Sequence, residues 1–267
     1  DFFTGTCAAA AGGFTTVLDM PNTQPPTNTP DRLREKVQRA MDRVVVNVGF
    51  YAAFPSRPEH FAEMAGNGAV AFKVNLCHPA TELDVYQDTV LLKAFQQAKG
   101  ANRPVAVHAE EGDVVRRAEE VFRSSGKASL DYYLKAHSPE REARAVRRVL
   151  NLAGQTGLQL HFCHISSASS LSRLKEAGSK ITCEVTPHHL FLTTEDLHAL
   201  GGIGLMDPPL RSRLTMSKLW RALKEGQIDI IASDHAPHSL EEKQRENVWD
   251  VPPGVPGLET MLPLMLT

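Results

Sequence analysis

Short apolar runs alternate with longer amphipathic stretches along the whole chain. Seven runs predict β-strands because they are rich in β-branched and other apolar residues: 14–21, 44–53, 69–76, 104–110, 158–166, 180–189 and 229–237. The stretches between them predict helices. Pro30 suits the first turn of one helix, and another has Ser138 as its cap, Pro139 just inside it and Gly154 near its end. This alternation predicts parallel strands joined by right-handed crossovers.

The number of runs and the polar residues that follow them favour a barrel over an open sheet. A doubly wound sheet would carry a glycine-rich turn after its first strand, and this sequence has none there. The length of 267 residues suits a (β/α)8 TIM-type barrel. Because the chain opens with the helix-like segment 2–13, we expect the first strand to be missing. The chain is then a single, incomplete barrel domain over residues 1–267.

Composition and charge narrow the class of protein. The formal net charge of −2 gives no electrostatic footprint for nucleic acid or an acidic membrane. No apolar run approaches the roughly 20 residues that a membrane span needs, and the start does not resemble a signal peptide. Cys7, Cys77, Cys163 and Cys183 lack CxxC spacing, which indicates reduced thiols. We therefore expect a cytoplasmic protein that acts on a small molecule.

Most predicted strands end in a polar side chain: Asn22, Lys73, His108, His164, His188 or His189, and Asp234. Taken one at a time, each has an ordinary explanation, such as a histidine at the rim, a lysine that reaches solvent or an aspartate that caps a helix. Barrel enzymes place their chemistry at the carboxyl ends of the strands, so together these side chains predict a site whose N and O ligands suit zinc. His161 and His164 have an odd spacing and face opposite ways; we choose His164 because it lies nearer the carboxyl end.

Lys73 has a specific chemistry in this setting. It lies in an apolar run, and burial favours the neutral amine of a lysine. A neutral amine can react with carbon dioxide, and the resulting carbamate is an anionic ligand whose two oxygens can bridge two metal ions about 3.5–4 Å apart. An ammonium group cannot do this. The sequence therefore predicts a carbamylated Lys73.

Several motifs carry a family resemblance. In chain order they are GGFTTVLDMPNTQPPT (12–27), VHAEEGD (107–113), HFCHISS (161–167), CEVTPHHLFL (183–192), PPLRS (208–212), SDHAPH (233–238) and PPGVPGLETMLPL (252–264). Together they resemble the dihydroorotases of the cyclic amidohydrolase superfamily over essentially the whole chain. The VHAE segment alone is shared with dihydropyrimidinases and allantoinases.

The resemblance implies an activity and a metal centre. The activity is the reversible conversion of L-dihydroorotate and N-carbamoyl-L-aspartate in pyrimidine biosynthesis. The implied centre holds two zinc ions bridged by carbamylated Lys73, with His108 and His164 on the second zinc and Asp234 on the first. The resemblance also makes Asp234 the general acid and base.

The resemblance further implies which groups hold the substrate. Asn22 and His238 correspond to groups that bind the substrate's carboxylate. The backbone around Asp207, Pro253 and Gly254 corresponds to the part that holds the amide groups of the ring. Asp207 departs from the family, which has Asn before PPLR. That change is tolerable if only the backbone is used there.

Two larger departures leave alternatives open. The family's HxHxR motif on the first barrel strand does not occur in this sequence, and the chain stops before the last barrel helix and the small β-domain. We expect a leading segment to be omitted, and the chain by itself to have weak or no activity. The alternatives are a dihydropyrimidinase or allantoinase, or a non-catalytic pseudo-dihydroorotase scaffold for aspartate transcarbamoylase. A homodimer or a transcarbamoylase complex is the expected assembly.

Overall fold

A computed structural model gives the fold of the protein and describes residues 1–174, 178 and 180–267. Its strands are β1 Thr16–Asp19, β2 Asn47–Ala53, β3 Ala69–Asn75, β4 Val105–His108, β5 Leu160–Phe162, β6 Ile181–Val185 and β7 Ile230–Ile231. They follow the chain order in a seven-stranded sheet, β1-β2-β3-β4-β5-β6-β7. The β1–β2, β2–β3, β3–β4 and β6–β7 pairs are all parallel. All seven predicted strands are confirmed, each shorter than its apolar run.

Helices occupy the stretches between the strands. They are α1 Phe2–Ala11, α2 Pro30–Ala40, α3 Glu59–Gly66, α4 Asp88–Gly100, α5 Gly112–Ser124, α6 Leu130–Ala136, α7 Pro139–Gly154, α8 Ala168–Leu174, α9 Pro187–Phe191, α10 Thr194–Leu200, α11 Arg213–Lys224, α12 Leu240–Lys243 and α13 Leu258–Leu266. Short 3-10 helices cover Gly201–Gly204 and Val248–Asp250. The predicted helix start at Pro30 is confirmed, and the Thr29 side chain caps it by accepting from the Arg32 N–H.

The prediction for residues 180–189 was wrong at its carboxyl end. Strand β6 stops at Val185, and His188 and His189 lie in helix α9. The reason is local, because the Thr186 side chain accepts a hydrogen bond from the backbone N–H of His189 and Pro187 occupies the first helical position. A capping threonine followed by proline starts a helix even where the apolar pattern continues.

The chain divides into two compact units. The first comprises residues 1–108, 149–161 and 258–267, and the second comprises residues 109–148 and 162–257. In the first unit Phe54 packs against Phe61 and Phe95, with ring centroids 5.6 and 6.2 Å away. In the second unit a buried cluster joins Tyr133, Ala136, Leu205, Val248, Trp249 and Val251. The predicted single domain over 1–267 stays a prediction.

No helix in the described part of the chain has the length and apolar character that crossing a membrane requires. The four cysteines are free thiols, and all except Cys7 are buried. The prediction of reduced cysteines agrees with this arrangement.

Candidate active site

Lys73 and His108 lie on neighbouring parallel strands of the first unit. The register pairs Lys73 with Ala106 and Asn75 with His108. Lys73 and His108 therefore face the same side of the sheet, with Cα atoms about 8 Å apart from ordinary strand spacing and rise. His108 is buried at 3% exposure, whereas Lys73 is half-buried. Both side chains come from the carboxyl-terminal halves of their strands.

The loop that carries Asn22 follows strand β1 in the same unit. Asn22 itself is exposed. The start of the loop is held by the buried Lys36, whose Nζ donates to the Met20 carbonyl at 2.8 Å and forms an ion pair with Asp19. Its other end is closed by a hydrogen bond of 2.9 Å from the Thr27 N–H to the Pro21 carbonyl. These contacts fix the backbone on either side of Asn22.

His164 and Asp234, in the second unit, share an uncommon backbone conformation. Their φ angles are 34° and 43°, in the left-handed region. Asp42 and Asn102 also have positive φ, but they follow helices α2 and α4, where left-handed residues are ordinary terminators. His164 and Asp234 instead lie two and three residues after strands β5 and β7. Strain of this kind at strand ends is typical of functional sites.

Glu184 of strand β6 holds the backbone of His164. Its Oε1 accepts from the His164 N–H at 3.2 Å, and its own carbonyl accepts from the Ile165 N–H at 2.8 Å. A carboxylate that receives a backbone N–H satisfies a donor that the bent strand end would otherwise leave without its ladder partner. Glu184 therefore stabilises the left-handed turn that presents His164.

Glu142 and Arg211 brace the segment that follows His164. The Glu142 carboxylate accepts from the backbone N–H groups of Ser166 and Ser167 at 3.2 and 3.0 Å and from the Ser166 hydroxyl. Arg211 Nε donates to Ser166 Oγ at 3.0 Å, and its NH2 lies 3.7 Å from Glu142 Oε2. Glu142 and Arg211 are both buried. These hydrogen bonds, made by two buried charged side chains, restrain the loop that follows His164.

The segment around residue 255 packs against the one that carries Asp234. The Ala236 N–H donates to the Val255 carbonyl at 3.0 Å, and the Gly257 N–H donates to His235 Nδ1 at 3.1 Å. A Cβ on Gly257 would lie 2.6 Å from the Ser233 carbonyl oxygen, so only glycine permits this approach. His235 therefore holds the backbone at Gly257.

Asp207 belongs to a buried charged cluster centred on His137. His137 Nδ1 lies 3.1 Å from Asp207 Oδ1 and 3.1 Å from Glu110 Oε2, while its Nε2 lies 3.0 Å from Glu119 Oε1. Burial lowers the pKa of His137, but the charges of Glu110 and Asp207 outweigh it and raise that pKa well above its ordinary value. The imidazole is therefore a cation among carboxylates. Asp207, which stands where the family has Asn, gives the protonated His137 an ionic partner.

His188 and His189 are both buried and neutral. Burial lowers the pKa of His188 to about 4 and that of His189 well below its ordinary value. His189 Nδ1 lies 2.7 Å from the Thr186 hydroxyl, and its Nε2 lies 3.0 Å from the Pro208 carbonyl. Since a carbonyl only accepts, Nε2 carries the proton and donates it. His189 thus fixes the backbone that follows Asp207.

His238 and Gly254 complete the predicted substrate contacts in the second unit. His238 is exposed, and its Nδ1 lies 3.8 Å from Glu242 Oε2. Gly254 has φ 139°, and its N–H donates to the Leu205 carbonyl at 2.9 Å. Its neighbour Pro253 is exposed. The structure therefore joins the backbone near Asp207 to that of Gly254.

The predicted metal ligands have the chemistry of a zinc centre. Two imidazoles, one carboxylate and one lysine amine supply N and O donors, as zinc prefers. Two of these groups, His164 and Asp234, lie just after strand ends and have a left-handed backbone. The donor set therefore fits the implied metal.

Sequence reasoning did not select His137, Glu142, Glu184 or Arg211. One of them had a readable signal. Glu142 lies on the apolar stripe of helix α7, four residues before Val146 and seven before Val149, which are both buried. A carboxylate at a core position predicts buried hydrogen-bond partners. The others contact residues far away in the chain, and no local pattern marks them.

Three comparisons place the chain among known proteins. It is 35% identical to a dihydroorotase from Methanosarcina mazei over 276 aligned positions, covering 100% of this chain and 60% of that protein. It is 33% identical to an allantoinase from Deinococcus radiodurans, covering 99% of this chain and 60% of that protein. The solved L-hydantoinase (dihydropyrimidinase) from Arthrobacter aurescens matches with a TM-score of 0.94 and 31% identity, over 100% of this chain and 61% of that one.

These matches confirm the predicted fold class, the TIM-type barrel of the amidohydrolases, and the predicted resemblance. The chain spans about 60% of the length of the relatives it matches. The names of those relatives cover more than one cyclic amide substrate. The model of the Amidohydrolase family matches residues 1–251, and this chain belongs to that family.

Proposed function

We propose that this chain is the catalytic portion of a zinc-dependent dihydroorotase, which reversibly converts L-dihydroorotate and N-carbamoyl-L-aspartate in pyrimidine biosynthesis. The observation that carries the proposal is the left-handed backbone of His164 and Asp234 at the ends of two strands. Backbone strain that a fold maintains at an imidazole and a carboxylate indicates that these side chains have a function. The relatives named dihydroorotase support the choice of substrate.

Four residues would hold the metal in this proposal: Lys73, His108, His164 and Asp234. Lys73 would act as its carbamate, formed when the neutral amine attacks carbon dioxide and releases a proton. Bound zinc would supply Lewis-acid polarisation of the scissile ring carbonyl. The side chains of Lys73 and His108 face one side of adjacent strands, which suits shared ligation.

Asp234 would move the proton in both directions of the reaction. In hydrolysis, its carboxylate accepts a proton from the attacking water and delivers it to the ring nitrogen as the C–N bond breaks. In cyclisation the same proton travels back. Position matters because the carboxylate must reach both atoms, and the contacts of residues 235, 236 and 257 fix the backbone that carries it.

The acidic substrate distinguishes this proposal from its nearest rival. Asn22 and His238 would bind the substrate's carboxylate, and the backbone of Asp207, Pro253 and Gly254 would hold the ring amides. The four free cysteines suit a reducing compartment, so we place the reaction in the cytoplasm. A homodimer or a complex with aspartate transcarbamoylase is the proposed assembly.

A second candidate is a hydantoinase, dihydropyrimidinase or allantoinase activity. The observation that favours it is the TM-score of 0.94 to the solved L-hydantoinase. Those reactions open the same kind of cyclic amide, so they need the same proton transfer but no carboxylate binder.

One assay separates the candidates. The full-length protein, loaded with zinc, is given L-dihydroorotate, dihydrouracil, hydantoin and allantoin in separate and competing reactions. We expect the highest kcat/KM for dihydroorotate, together with loss of that preference in Asn22→Ala. A higher kcat/KM for a neutral ring would replace the dihydroorotase proposal by the second candidate. Full-length protein that binds no zinc and opens no ring would favour the non-catalytic scaffold.

A further inference from the structure

Lys243 is a buried lysine that lies outside the proposed chemistry. It ends the short helix α12 and is 4% exposed. Its Nζ donates to three backbone carbonyls, those of Leu205 at 2.7 Å, Pro252 at 2.9 Å and Gly254 at 2.9 Å. An ammonium group has three N–H donors, so every donor is used. Burial lowers the pKa of Lys243 to about 8.

The three carbonyls belong to the two backbone segments that the proposed function assigns to the ring amides. Leu205 lies two residues before Asp207, and Pro252 and Gly254 flank Pro253. The Leu205 carbonyl accepts a second hydrogen bond, 2.9 Å long, from the Gly254 N–H. The ammonium group and this bond together cross-link residues 205–207 to residues 252–254.

Two glycines allow the backbone segments near this cross-link to approach each other closely. A Cβ on Gly254 would lie 2.5 Å from the Ala236 carbonyl oxygen, and one on Gly202 would lie 2.3 Å from the Lys243 carbonyl oxygen. Helix α12 begins with a capping box between Ser239 and Glu242, directly after His238. Lys243 thus also joins the helix that follows His238 to both segments.

An ammonium group is a costly way to fill a core position, because taking it out of water is unfavourable and an apolar side chain would pack there without that cost. Its advantage is directional: three donors on one atom set the relative positions of three carbonyls. Backbone amides that receive a ligand must be placed before the ligand arrives if binding is to be tight.

We propose that Lys243 is a positioning residue, whose ammonium group holds the backbone around Asp207 and Gly254 in the arrangement that receives the cyclic amide. This inference rests on the proposed function for the identity of the ligand, but the cross-link itself does not. Lys243 touches neither substrate nor metal. Its loss should weaken substrate binding and leave the chemical step and the metal in place.

The test uses zinc-loaded full-length protein carrying Lys243→Met, which keeps the length of the side chain and removes its donors. Lys218→Met is the matched control, because Lys218 is an exposed lysine of helix α11 in the same unit. Three quantities are measured: backbone amide exchange, bound zinc, and kcat and KM for whichever cyclic amide the wild type prefers.

We expect Lys243→Met to speed amide exchange in peptides 202–207 and 250–256 and to raise KM about tenfold, with kcat changed less than about threefold and zinc unchanged. Lys218→Met should match the wild type. Unchanged exchange in both peptides would overturn the cross-link. Faster exchange with unchanged KM, or an equal fall in kcat and bound zinc, would overturn the positioning role.

Lys243→Arg covers the case in which the methionine variant does not fold, because it retains a cation with several donors in a different geometry. For Lys243→Arg we expect faster exchange in the same two peptides and a rise in KM of less than about tenfold. A wild-type KM with wild-type exchange would overturn the inference. If the wild type opens none of the rings, the proposed function fails on its own. Faster exchange in Lys243→Met would then still support the cross-link, and unchanged exchange would overturn it.

Discussion

His137 lies against Asp207 in the buried interior of the second unit, with 3.1 Å between its Nδ1 and Asp207 Oδ1. The ring also stacks on Tyr133, with centroids 4.3 Å apart. Glu110 contacts the same Nδ1 at 3.1 Å, and Glu119 lies 3.0 Å from Nε2. The protonated His137 therefore offsets the charge of three carboxylates. One of them, Asp207, comes directly before the PPLRS motif.

Replacing His137 by Asn should destabilise the protein strongly. The amide cannot carry a proton, so the three carboxylates would lose the positive charge of His137. Breaking a buried ion pair in this way costs about 3–5 kcal/mol. The measurement is the free energy of unfolding in urea. His198→Asn is the control, because His198 is a largely exposed histidine that pairs with Asp131 at 3.5 Å; equal midpoints for both variants would contradict the prediction.

The same cluster determines how the stability of the protein changes towards alkaline pH. The folded-state pKa of His137 lies above its unfolded value. Its contribution to stability is therefore complete below about pH 6.5, the unfolded pKa, and is lost as the pH rises through the raised folded value. The stability gap between the wild type and His137→Asn should be widest near pH 6 and narrow towards alkaline pH. A gap that widens with pH would rule out a protonated His137.

His188 predicts the opposite, acidic sensitivity. Its Nε2 is buried without a hydrogen-bond partner among the described residues, and its pKa is lowered to about 4. Between pH 4 and about 6.5 the unfolded chain binds a proton that the folded chain excludes, so stability falls as the pH drops through this window. His188→Leu should remove part of this loss of stability at acidic pH. The rest should remain, because the pKa of His189 is lowered as well.

The readout for His188 is the urea midpoint at a series of pH values from 4 to 7, with His198→Leu as the control. At neutral pH, His188→Leu should be as stable as the wild type or slightly more so, because it removes a buried polar atom that lacks a partner. An acid slope identical to that of the wild type would show that His188 is not neutral in the folded state.

The sequence predicted the framework of the fold well, for a physical reason. Buried parallel strands are continuous apolar runs, and such runs marked all seven strands. It failed at His188 and His189 because the apolar pattern continues through them while Thr186 and Pro187 start a helix. A helix cap is determined by about three residues, whereas hydrophobic periodicity is judged over about ten. The apolar pattern therefore does not reveal the cap.

The support around the site was harder to predict. Lys243 bonds only to backbone carbonyls, which carry no side-chain identity that a sequence could display. Glu184 contacts the backbone of His164 from the next strand, so its role depends on register. By contrast, Asp234 and His164 were selected because the barrel argument needs only their place at strand ends. Side chains at strand ends could be selected from the sequence, whereas Lys243 and Glu184, which hold the backbone, could not.

Asp234→Asn tests the proton transfer most directly. The amide keeps the shape of the carboxylate and an oxygen ligand, but it cannot accept and return a proton. Turnover should fall by about 10²–10⁴-fold while much of the zinc is retained. Asp250→Asn, a largely exposed aspartate in the same unit, is the control. Near-normal activity in Asp234→Asn would remove Asp234 from the role of general acid and base.

Gly254 and Gly5 form a matched pair for a test of backbone strain. Gly254 has φ 139°, and an added Cβ would meet the Ala236 carbonyl oxygen at 2.5 Å. Gly5 lies within helix α1 with nothing within 4 Å of an added Cβ. Gly254→Ala should lower the free energy of unfolding by about 1–3 kcal/mol or more, whereas Gly5→Ala should raise it by about 0.5–1 kcal/mol.

Thermal and urea unfolding of the two alanine variants provide the measurement, and KM for the preferred cyclic amide adds a second readout. Because Gly254 lies in the segment that Lys243 holds, Gly254→Ala should also raise KM, and Gly5→Ala should leave it unchanged. Equal stability changes in the two variants would mean that the chain near residue 254 relaxes freely. The Gly254 segment would then be too compliant to hold an amide ring in place, and the backbone contacts proposed for the substrate would lose their support.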